Sequence, residues 1–329
     1  MESGSSVSSS VVASHSDIGE MTADLPLLNH RYIQLDRGAF QGDVLGIALS
    51  EGLFWRSRAN LGGYGSADVP PGYQMVALTG TRSPHEYWHG RLMGIDSLAL
   101  ASHRTGLEHR AGPCHEALAW LIPVRRYVEE AEALGLEVPV LSGGDPILGR
   151  ANGQVGRLRA VIDAAFGLGD MTPDQAGQAL RWFDSALVAA TLECLATLTP
   201  VQWKPQSRPS RARAARDLMH AHAANPLSMS DLCRQLQVHE RTLRHQFMAA
   251  YQCCPMEYQL ALRLQLVQQR LREIEPEKGA ISKAATAYGF WHMGRFTQYY
   301  KRLLGEGPSQ TLASSRDGKG VRCGERRNG

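Results

Sequence analysis

Two short stretches of the sequence carry side chains that can hydrogen-bond to the edges of DNA bases. In the first stretch, Arg241, Arg244 and His245 recur at positions that share the outer side of a short helix. Arginine can donate two hydrogen bonds to guanine, and histidine can donate one to an acceptor on a base edge. In the second stretch, Thr297 and Gln298 hold the positions that match Arg244 and His245. These five side chains are the predicted base contacts, although each could instead meet a phosphate or only water.

Other polar side chains in the same two stretches are suited to the DNA backbone. Cationic and hydroxyl groups bind phosphate oxygens without reading the sequence, and the amides at a helix start do the same. The predicted phosphate contacts are Ser230, His239, Arg295, Lys301 and Arg302.

One stretch, His85-Glu86-Tyr87-Trp88-His89, has the spacing of a zinc-peptidase motif. On a helix, two histidines four residues apart can share a zinc ion while the glutamate polarises a water molecule. Pro84 and Gly90 flank the motif among predicted strands, which favours polar residues on a strand or turn over catalysis. Three further histidines lack ligand spacing, namely His103, His109 and His115. We therefore predict no enzyme, no metal and no cofactor, and keep a zinc-dependent hydrolase on His85, Glu86 and His89 as an alternative.

The predicted contacts of the first stretch lie on a helix-turn-helix pattern. We expect a helix capped by Ser230, a turn at Gln237-Val238, and a second helix that begins at His239. Leu243 and Phe247 are four residues apart, so they share the inner side of that second helix. A short helix held in this way fits the major groove of DNA.

The second stretch repeats the same pattern. A helix begins near Ala280 and ends at Gly289, a residue type that tolerates the left-handed conformation of a helix end. Phe290-Trp291 is expected to pack in the turn, and Phe296 lies 53 residues after its counterpart Leu243. The repeat predicts two reading helices in one domain.

A single long helix, Pro255 to Glu273, is predicted between the two patterns, with leucines and Tyr258 recurring at helical spacing. About 18 residues at 1.5 Å each span roughly 27 Å, which is close to the roughly 34 Å between successive major-groove faces. This helix could therefore hold two reading helices about one turn apart on one side of a duplex.

The region from about 211 to 312 resembles the DNA-binding domain of AraC/XylS-type transcription regulators. The resemblance rests on Arg241-Thr-Leu-Arg, Leu262-Arg-Leu, Tyr288-Gly-Phe-Trp-His-Met-Gly-Arg-Phe and Gly305-Glu-Gly-Pro-Ser309, all in the family's order. The third of these runs is similar to the subgroup that includes ethanolamine-utilisation regulators. Two positions depart from the family: His239 stands where a serine cap is common, and Gly294 has no side chain to read a base. The resemblance implies double-stranded promoter DNA and RNA polymerase as partners, a homodimer, and often an activator.

The charge of the chain is divided unevenly between its two halves. Residues 204–329 contain 21 Lys and Arg against 10 Asp and Glu, whereas residues 1–203 contain 14 against 22. A basic half beside an acidic half is typical of a nucleic-acid-binding module joined to a domain with another task. Six cysteines without regular spacing, and no apolar run of about 18 residues, predict a cytoplasmic protein with reduced thiols.

The N-terminal half has the pattern of a β-rich domain followed by helices. Short apolar or alternating runs separated by Gly, Asp, Pro and Ser predict strands over 30–124, and helical periodicity follows over 125–200. The fold class is therefore α+β with several domains, and the resemblance implies that the first is a cupin-like β-barrel or jelly roll. The expected boundaries are a disordered tail at 1–29, a sensor and dimerisation domain at 30–200, a linker at 201–210, the DNA-binding domain at 211–312 and a disordered basic tail at 313–329.

These patterns and the resemblance together predict a sequence-specific, DNA-binding transcription regulator. A small-molecule effector bound in the N-terminal domain is the expected means of control, with no residues assigned to its site. A constitutive DNA-binding regulator without a ligand is the second alternative, beside the zinc-dependent hydrolase.

Overall fold

The computed structural model describes residues 11–23, 29–80, 86–95, 97–141, 146–151, 153–166, 173–200 and 210–319. The chain divides into two compact units that interleave along the sequence. The sheet-rich unit comprises Met1–Arg31, Gly42–Asn60 and Gly65–Lys204, and the helical unit comprises Tyr32–Gln41, Leu61–Tyr64 and Pro205–Gly329. The predicted linker over 201–210 lies outside the described residues, except for Ser210.

The strands lie in the N-terminal two thirds of the chain. In order they are β1 Val11–His15, β2 Asn29–Gln34, β3 Gly42–Ala48, β4 Leu53–Ala59, β5 Gly63–Asp68, β6 Tyr73–Thr79, β7 Glu86–Trp88, β8 Arg91–Met93, β9 Ser97–Ser102, β10 Leu107–Ala111, β11 His115–Pro123, β12 Ile147–Ala151 and β13 Leu198–Pro200.

Most of the helices follow the strands. They are α1 Ile18–Ala23, α2 Val124–Ala133, α3 Val155–Ala165, α4 Pro173–Ala196, α5 Ser210–Ala221, α6 Met229–Leu236, α7 Glu240–Tyr251, α8 Pro255–Glu273, α9 Ala280–Ala287, α10 Met293–Leu304 and α11 Pro308–Lys319. None of the described helices is both long and apolar enough to cross a membrane.

The strands form two separate sheets. An eight-stranded sheet has the order β1-β3-β4-β11-β6-β9-β12-β13, and a five-stranded sheet has the order β2-β5-β10-β7-β8. Within the described residues, the two end strands of each sheet do not pair, so neither sheet closes into the barrel that the resemblance implied. The expectation of a β-rich N-terminal region and a helical C-terminal region is confirmed.

Helices α2, α3 and α4 cover one face of the eight-stranded sheet. Alternate residues of the central strand β11, Leu118, Trp120 and Ile122, point to this side, as the period of two in a strand requires. They are buried together with Phe183 of α4 and Tyr127 of α2. This layer is the main core of the sheet-rich unit.

Parts of both predicted disordered tails are ordered in the structure. Val11–His15 pairs antiparallel with β3, and α1 follows it, so the prediction for 1–29 was wrong over these residues. Local composition is a poor guide here because an exposed sheet edge supplies the hydrogen bonds that a Ser-rich segment cannot make alone. At the other end, α11 continues to Lys319, and 320–329 lie outside the described residues.

The helical unit contains two apolar cores joined by α8. One core holds Leu243 and Phe247, and the other holds Phe296 and Tyr300, as the internal repeat predicted. Residues of α8 enter both cores, with Leu262 in the first and Leu264 in the second. This long helix spans the predicted limits Pro255 to Glu273, and its 19 residues measure about 28 Å at 1.5 Å each.

Candidate nucleic-acid interface

The first helix-turn-helix consists of α6 and α7. Ser228, and not Ser230, caps α6: its hydroxyl accepts a hydrogen bond from the backbone of Asp231 at 3.1 Å, and the Asp231 carboxylate accepts from the backbone of Ser228 at 3.1 Å. This reciprocal capping box satisfies two amides that the helix leaves without partners. Hydrogen bonds from Ser228 are also the main reason that the pKa of Asp231 is lowered. Ser230 therefore lies exposed inside the first turn.

The turn between α6 and α7 depends on a left-handed residue. Gln237 has φ +53° and donates its backbone N–H to the carbonyl oxygen of Arg234. His239 is then the N-cap of α7, but its side chain makes no capping hydrogen bond. An exposed imidazole at a helix start that is not used for capping can reach a phosphate.

Helix α7 separates an apolar inner side from a polar outer side. Leu243 and Phe247 are fully buried, while Arg241, Arg244 and His245 are exposed, as predicted. Arg244 forms an ion pair with Glu240 one turn earlier, at 2.7 Å. An exposed pair of this kind contributes only about 0.3–0.5 kcal/mol to stability. Breaking it so that Arg244 can contact a base would therefore cost little free energy.

The turn of the second helix-turn-helix is stabilised by Arg263, a residue that no sequence pattern assigned to this role. Arg263 on α8 donates to the carbonyl oxygen of Tyr288 at 2.7 Å, and its guanidinium lies 4.1 Å from the centre of the Phe290 ring. Burial lowers the pKa of Arg263 to about 10. Gly289 follows with φ +74°, where a Cβ would come within 2.7 Å of Pro226. The Leu262-Arg-Leu run was visible in the sequence, but no local pattern distinguishes a supporting arginine from a DNA contact.

Helix α10 presents the second polar surface. Arg295, Gln298, Lys301 and Arg302 are exposed, whereas Thr297 is only half-exposed. The Phe296 and Tyr300 side chains on the opposite side are buried, and the Tyr300 hydroxyl lies 2.8 Å from the hydroxyl of Thr311 on α11. Eight of the ten predicted contacts therefore lie on α7 and α10. Ser230 lies in the first turn of α6, and His239 is the N-cap of α7.

Of the two aromatic residues expected to pack in the second turn, only one is buried. Phe290 is buried, and its ring lies 5.2 Å from that of Phe296. Trp291 is 74% exposed. Gly294 lies exposed in the first turn of α10, with no atom within 4 Å of the place where a Cβ would stand.

The segment Tyr32–Gln41 packs at the end of α10 within the helical unit. The side-chain amide of Gln34 donates to the carbonyl oxygen of Leu303 at 2.6 Å, and the backbone N–H of Gly38 donates to the same oxygen at 3.0 Å. The last four carbonyl groups of a helix lack partners within the helix, so this segment acts as a C-terminal cap of α10. On α8, the side chain of Gln265 accepts from the backbone of Gln34 at 2.9 Å.

The short segment Leu61–Tyr64 completes the core of the first helix-turn-helix. Tyr64 is 4% exposed, and its ring packs edge-on against Tyr251 and Tyr258, with ring centres 5.0 and 5.7 Å apart. Its hydroxyl accepts a hydrogen bond from Arg216 on α5 at 2.7 Å. Together with Tyr32–Gln41, this segment forms what we call the docked segments.

The stretch with zinc-peptidase spacing, kept above only as an alternative, does not have the geometry of such a site. His85 lies outside the described residues, and Glu86–Trp88 forms the strand β7 rather than part of a helix. Side chains alternate across a strand, so the spacing that brings two histidines together on a helix does not apply. No group of three His, Cys, Asp or Glu among the described residues is placed to hold a metal ion.

The sheet-rich unit nevertheless contains a cluster of buried and partly buried histidines. The rings of His30 and His109 stack with their centres 6.0 Å apart. Burial, together with the charge of His115, lowers the pKa of His30 to about 4. Burial also holds the pKa of His109 well below its usual value, with smaller contributions from the charges of His30, His115, Arg110 and His89. His30 and His109 are therefore neutral at pH 7.

Comparison with known proteins agrees with the geometry of the C-terminal region. The profile of a helix-turn-helix domain matches residues 232–314. The chain is 32% identical over 104 residues to a probable thc operon regulatory protein of Rhodococcus erythropolis, covering 32% of this chain and 31% of that protein. The chain thus matches about a third of the length of this relative.

Two solved structures are also similar to the chain. One is the AraC-like transcriptional activator CuxR, with 15% identity, a TM-score of 0.39, and coverage of 78% of this chain and 94% of that one. The other is a regulator from Chromobacterium violaceum with an AraC-type DNA-binding domain, with 26% identity, a TM-score of 0.31, and coverage of 37% and 100%. From the profile match, residues 232–314 of the chain are a helix-turn-helix domain, and the C-terminal part of the chain is similar to a bacterial operon regulatory protein.

Proposed function

We propose that the chain is a sequence-specific transcription regulator that places α7 and α10 in two consecutive major grooves of promoter DNA. The observation that carries this proposal is the pair of polar outer helix faces, each backed by its own apolar core and both attached to α8. Helix α8 contributes residues to both cores and is about 28 Å long, somewhat less than the roughly 34 Å of one turn of B-DNA.

The residue roles within this proposal follow the chemistry of the side chains. The base contacts are Arg241, Arg244, His245, Thr297 and Gln298, and the phosphate contacts are Ser230, His239, Arg295, Lys301 and Arg302. Because the Thr297 side chain is half-buried, it can contact only a base that comes close to the surface of α10. Lys301 and Arg302 lie in the last turn of α10, away from the helix start that usually enters the groove, which favours phosphate contact.

Replacement of Arg244 by alanine should weaken binding to the preferred sequence by about 1–3 kcal/mol and relax the preference at one base pair. Lys301→Ala is the matched control, because loss of a phosphate contact should weaken all sequences alike and reduce the salt dependence by about one ion. Fluorescence anisotropy on the preferred duplex and on a random duplex, at several salt concentrations, measures both effects. Equal losses on the two duplexes for Arg244→Ala would contradict direct readout by this residue.

We further propose that a small-molecule effector binds in the sheet-rich unit. The support is the histidine cluster, in which His115 is 3% exposed and burial lowers the pKa values of His30 and His109. Buried polar groups with shifted pKa values are more typical of binding sites than of sheet interiors. Occupancy of promoters by the full chain, mapped across the genome, would identify candidate effectors from the neighbouring genes. If DNA affinity and promoter output were identical with and without these compounds, a constitutive regulator would be favoured instead.

The docked segments offer a route by which such control could reach the DNA-binding helices. They come from the N-terminal half of the chain, yet they cap α10 and fill the core beneath α7. An effector that favours one arrangement of these segments would shift the population of the DNA-binding conformation.

Gly305→Ala tests this route, with Gly279→Ala as its matched control. Both glycines have positive φ, +73° and +86°, so alanine costs about 1–2 kcal/mol of backbone strain at either position. At Gly305 the new Cβ would overlap the backbone of Ala39. At Gly279 the new Cβ would meet no neighbouring atom within 4 Å. Gly305→Ala should therefore deprotect the Gly38 amide in hydrogen exchange and weaken DNA binding by roughly threefold to tenfold more than Gly279→Ala. Equal behaviour of the two variants would contradict the route.

A homodimer is the proposed assembly, formed through the helices of the sheet-rich unit. Trp182 on α4 is 55% exposed although the opposite side of this helix is buried. Tryptophan is usually well buried and is enriched at protein interfaces, so its exposure on α4 supports a contact there. Light scattering should give a dimer for the full chain and a monomer for Trp182→Ser.

A further inference from the structure

Trp291 is the most exposed of the large apolar side chains in the described part of the chain, at 74%. Tryptophan is usually well buried, because its ring has a large apolar surface. This residue lies next to His292, the N-cap of α10. The exposed indole is therefore at the start of the second proposed reading helix.

The usual structural role of this position is performed by another residue. An apolar residue just before an N-cap often packs against the fourth residue of its helix, which here is Phe296. In this structure Phe290 makes that contact, with the two ring centres 5.2 Å apart. Arg263 holds Phe290 in place from the other side. Trp291 is thus not needed to fix the entry of the chain into α10.

The surface beside Trp291 is open and belongs to the proposed DNA-binding face. Gly294 is exposed, and no atom lies within 4 Å of the place where its Cβ would stand. Arg295 and Gln298 are exposed in the first two turns of α10, so polar and cationic side chains follow the indole closely along the chain. Since the first residues of a reading helix are those that usually reach base edges, DNA is the partner that fits this position.

We propose that Trp291 contacts the 5-methyl group of a thymine in the second half-site, and that Gly294 lets the helix start approach closely enough for this contact. This inference rests on the proposed function and adds a specificity-determining residue to it. The thymine methyl is the one apolar group that a base presents in the major groove. The contact supplies readout at a place where Gly294 itself can supply none.

The test uses duplexes selected by the full chain from a random DNA library. Thymines of the second half-site are replaced one at a time by deoxyuridine, which removes only the methyl group. One replacement should weaken the wild-type protein by about fourfold, the value for loss of one buried methyl contact. The same replacement should leave Trp291→Ala unchanged, and that variant should bind the unmodified duplex about tenfold more weakly than the wild type.

Tyr299→Ala is the matched control, because Tyr299 is a 41% exposed aromatic residue within α10. This variant should keep the full sensitivity to deoxyuridine. Circular dichroism of both variants should match that of the wild type, which checks that the helix content of the chain is kept. Equal deoxyuridine profiles for the wild type and Trp291→Ala would overturn the inference and leave the proposed function standing. Selection that enriches no sequence would instead contradict the proposed function, and the inference with it.

Discussion

Tyr64→Ala is expected to destabilise the helical unit by about 3–5 kcal/mol, the range observed when a large buried ring is removed. Tyr64 packs against Tyr251 and Tyr258, so its loss would leave a cavity beneath α7. Hydrogen exchange followed by mass spectrometry should show faster exchange in α7 and α8, and DNA affinity should fall with it.

Tyr64→Phe is the matched control, because it keeps the ring and removes only the hydroxyl that Arg216 binds at 2.7 Å. Arg216 retains its ion pair with Asp217 at 2.8 Å, so the expected cost is about 1.5 kcal/mol. Unchanged exchange in α7 and α8 for Tyr64→Ala would show that Leu61–Tyr64 is not part of the DNA-binding core.

Asp184→Ala should cost the sheet-rich unit about 3 kcal/mol, the low end of the range for a broken buried ion pair. The Asp184 carboxylate accepts from Arg126 at 2.8 Å, and the two side chains are only 7% and 13% exposed. It also accepts from the backbone and the hydroxyl of Ser50. Without the Asp184 carboxylate, Arg126 would remain buried with Glu130 as its carboxylate partner, and this contact limits the loss of stability.

Glu130→Ala provides the comparison for this pair. Glu130 contacts the same arginine at 2.6 Å, but its side chain is 32% exposed, so water can replace much of the contact. We expect less than about 1 kcal/mol from this change. Chemical denaturation followed by tryptophan fluorescence separates the two variants, and equal midpoints would contradict the assignment of Asp184 as the buried anchor.

The sequence was sufficient to predict the helix-turn-helix repeat. Apolar residues at helical spacing placed Leu243 and Phe247 inward and Arg241 and Arg244 outward, because the period of a helix determines which residues share a face. The limits of α8 could be read from its first proline and its periodicity. The cap of α6 was misplaced by two residues, since Ser228 and Ser230 both suit an N-cap and only the Asp231 contacts distinguish them.

The docked segments could not be predicted in the same way. The alternation in Tyr32-Ile-Gln-Leu indicates a strand, but it does not say which core receives Ile33, and no local pattern assigns Tyr64 to a core. Burial against residues about 200 positions later is a tertiary property that local periodicity does not contain. The exposure of Trp291 was missed for a related reason, because two adjacent aromatic residues both favoured packing and only one place was available.

Footprinting of the full chain on its selected duplex, with altered spacing between half-sites, tests the central proposal most directly. If α7 and α10 are held by α8 at a fixed separation, hydroxyl-radical cleavage should show two protected regions about 10 base pairs apart on one face of the duplex. Insertion of five base pairs between them should turn the half-sites to opposite faces and abolish protection of one. A single protected region, or affinity that does not change with the insertion, would contradict simultaneous reading by the two helices.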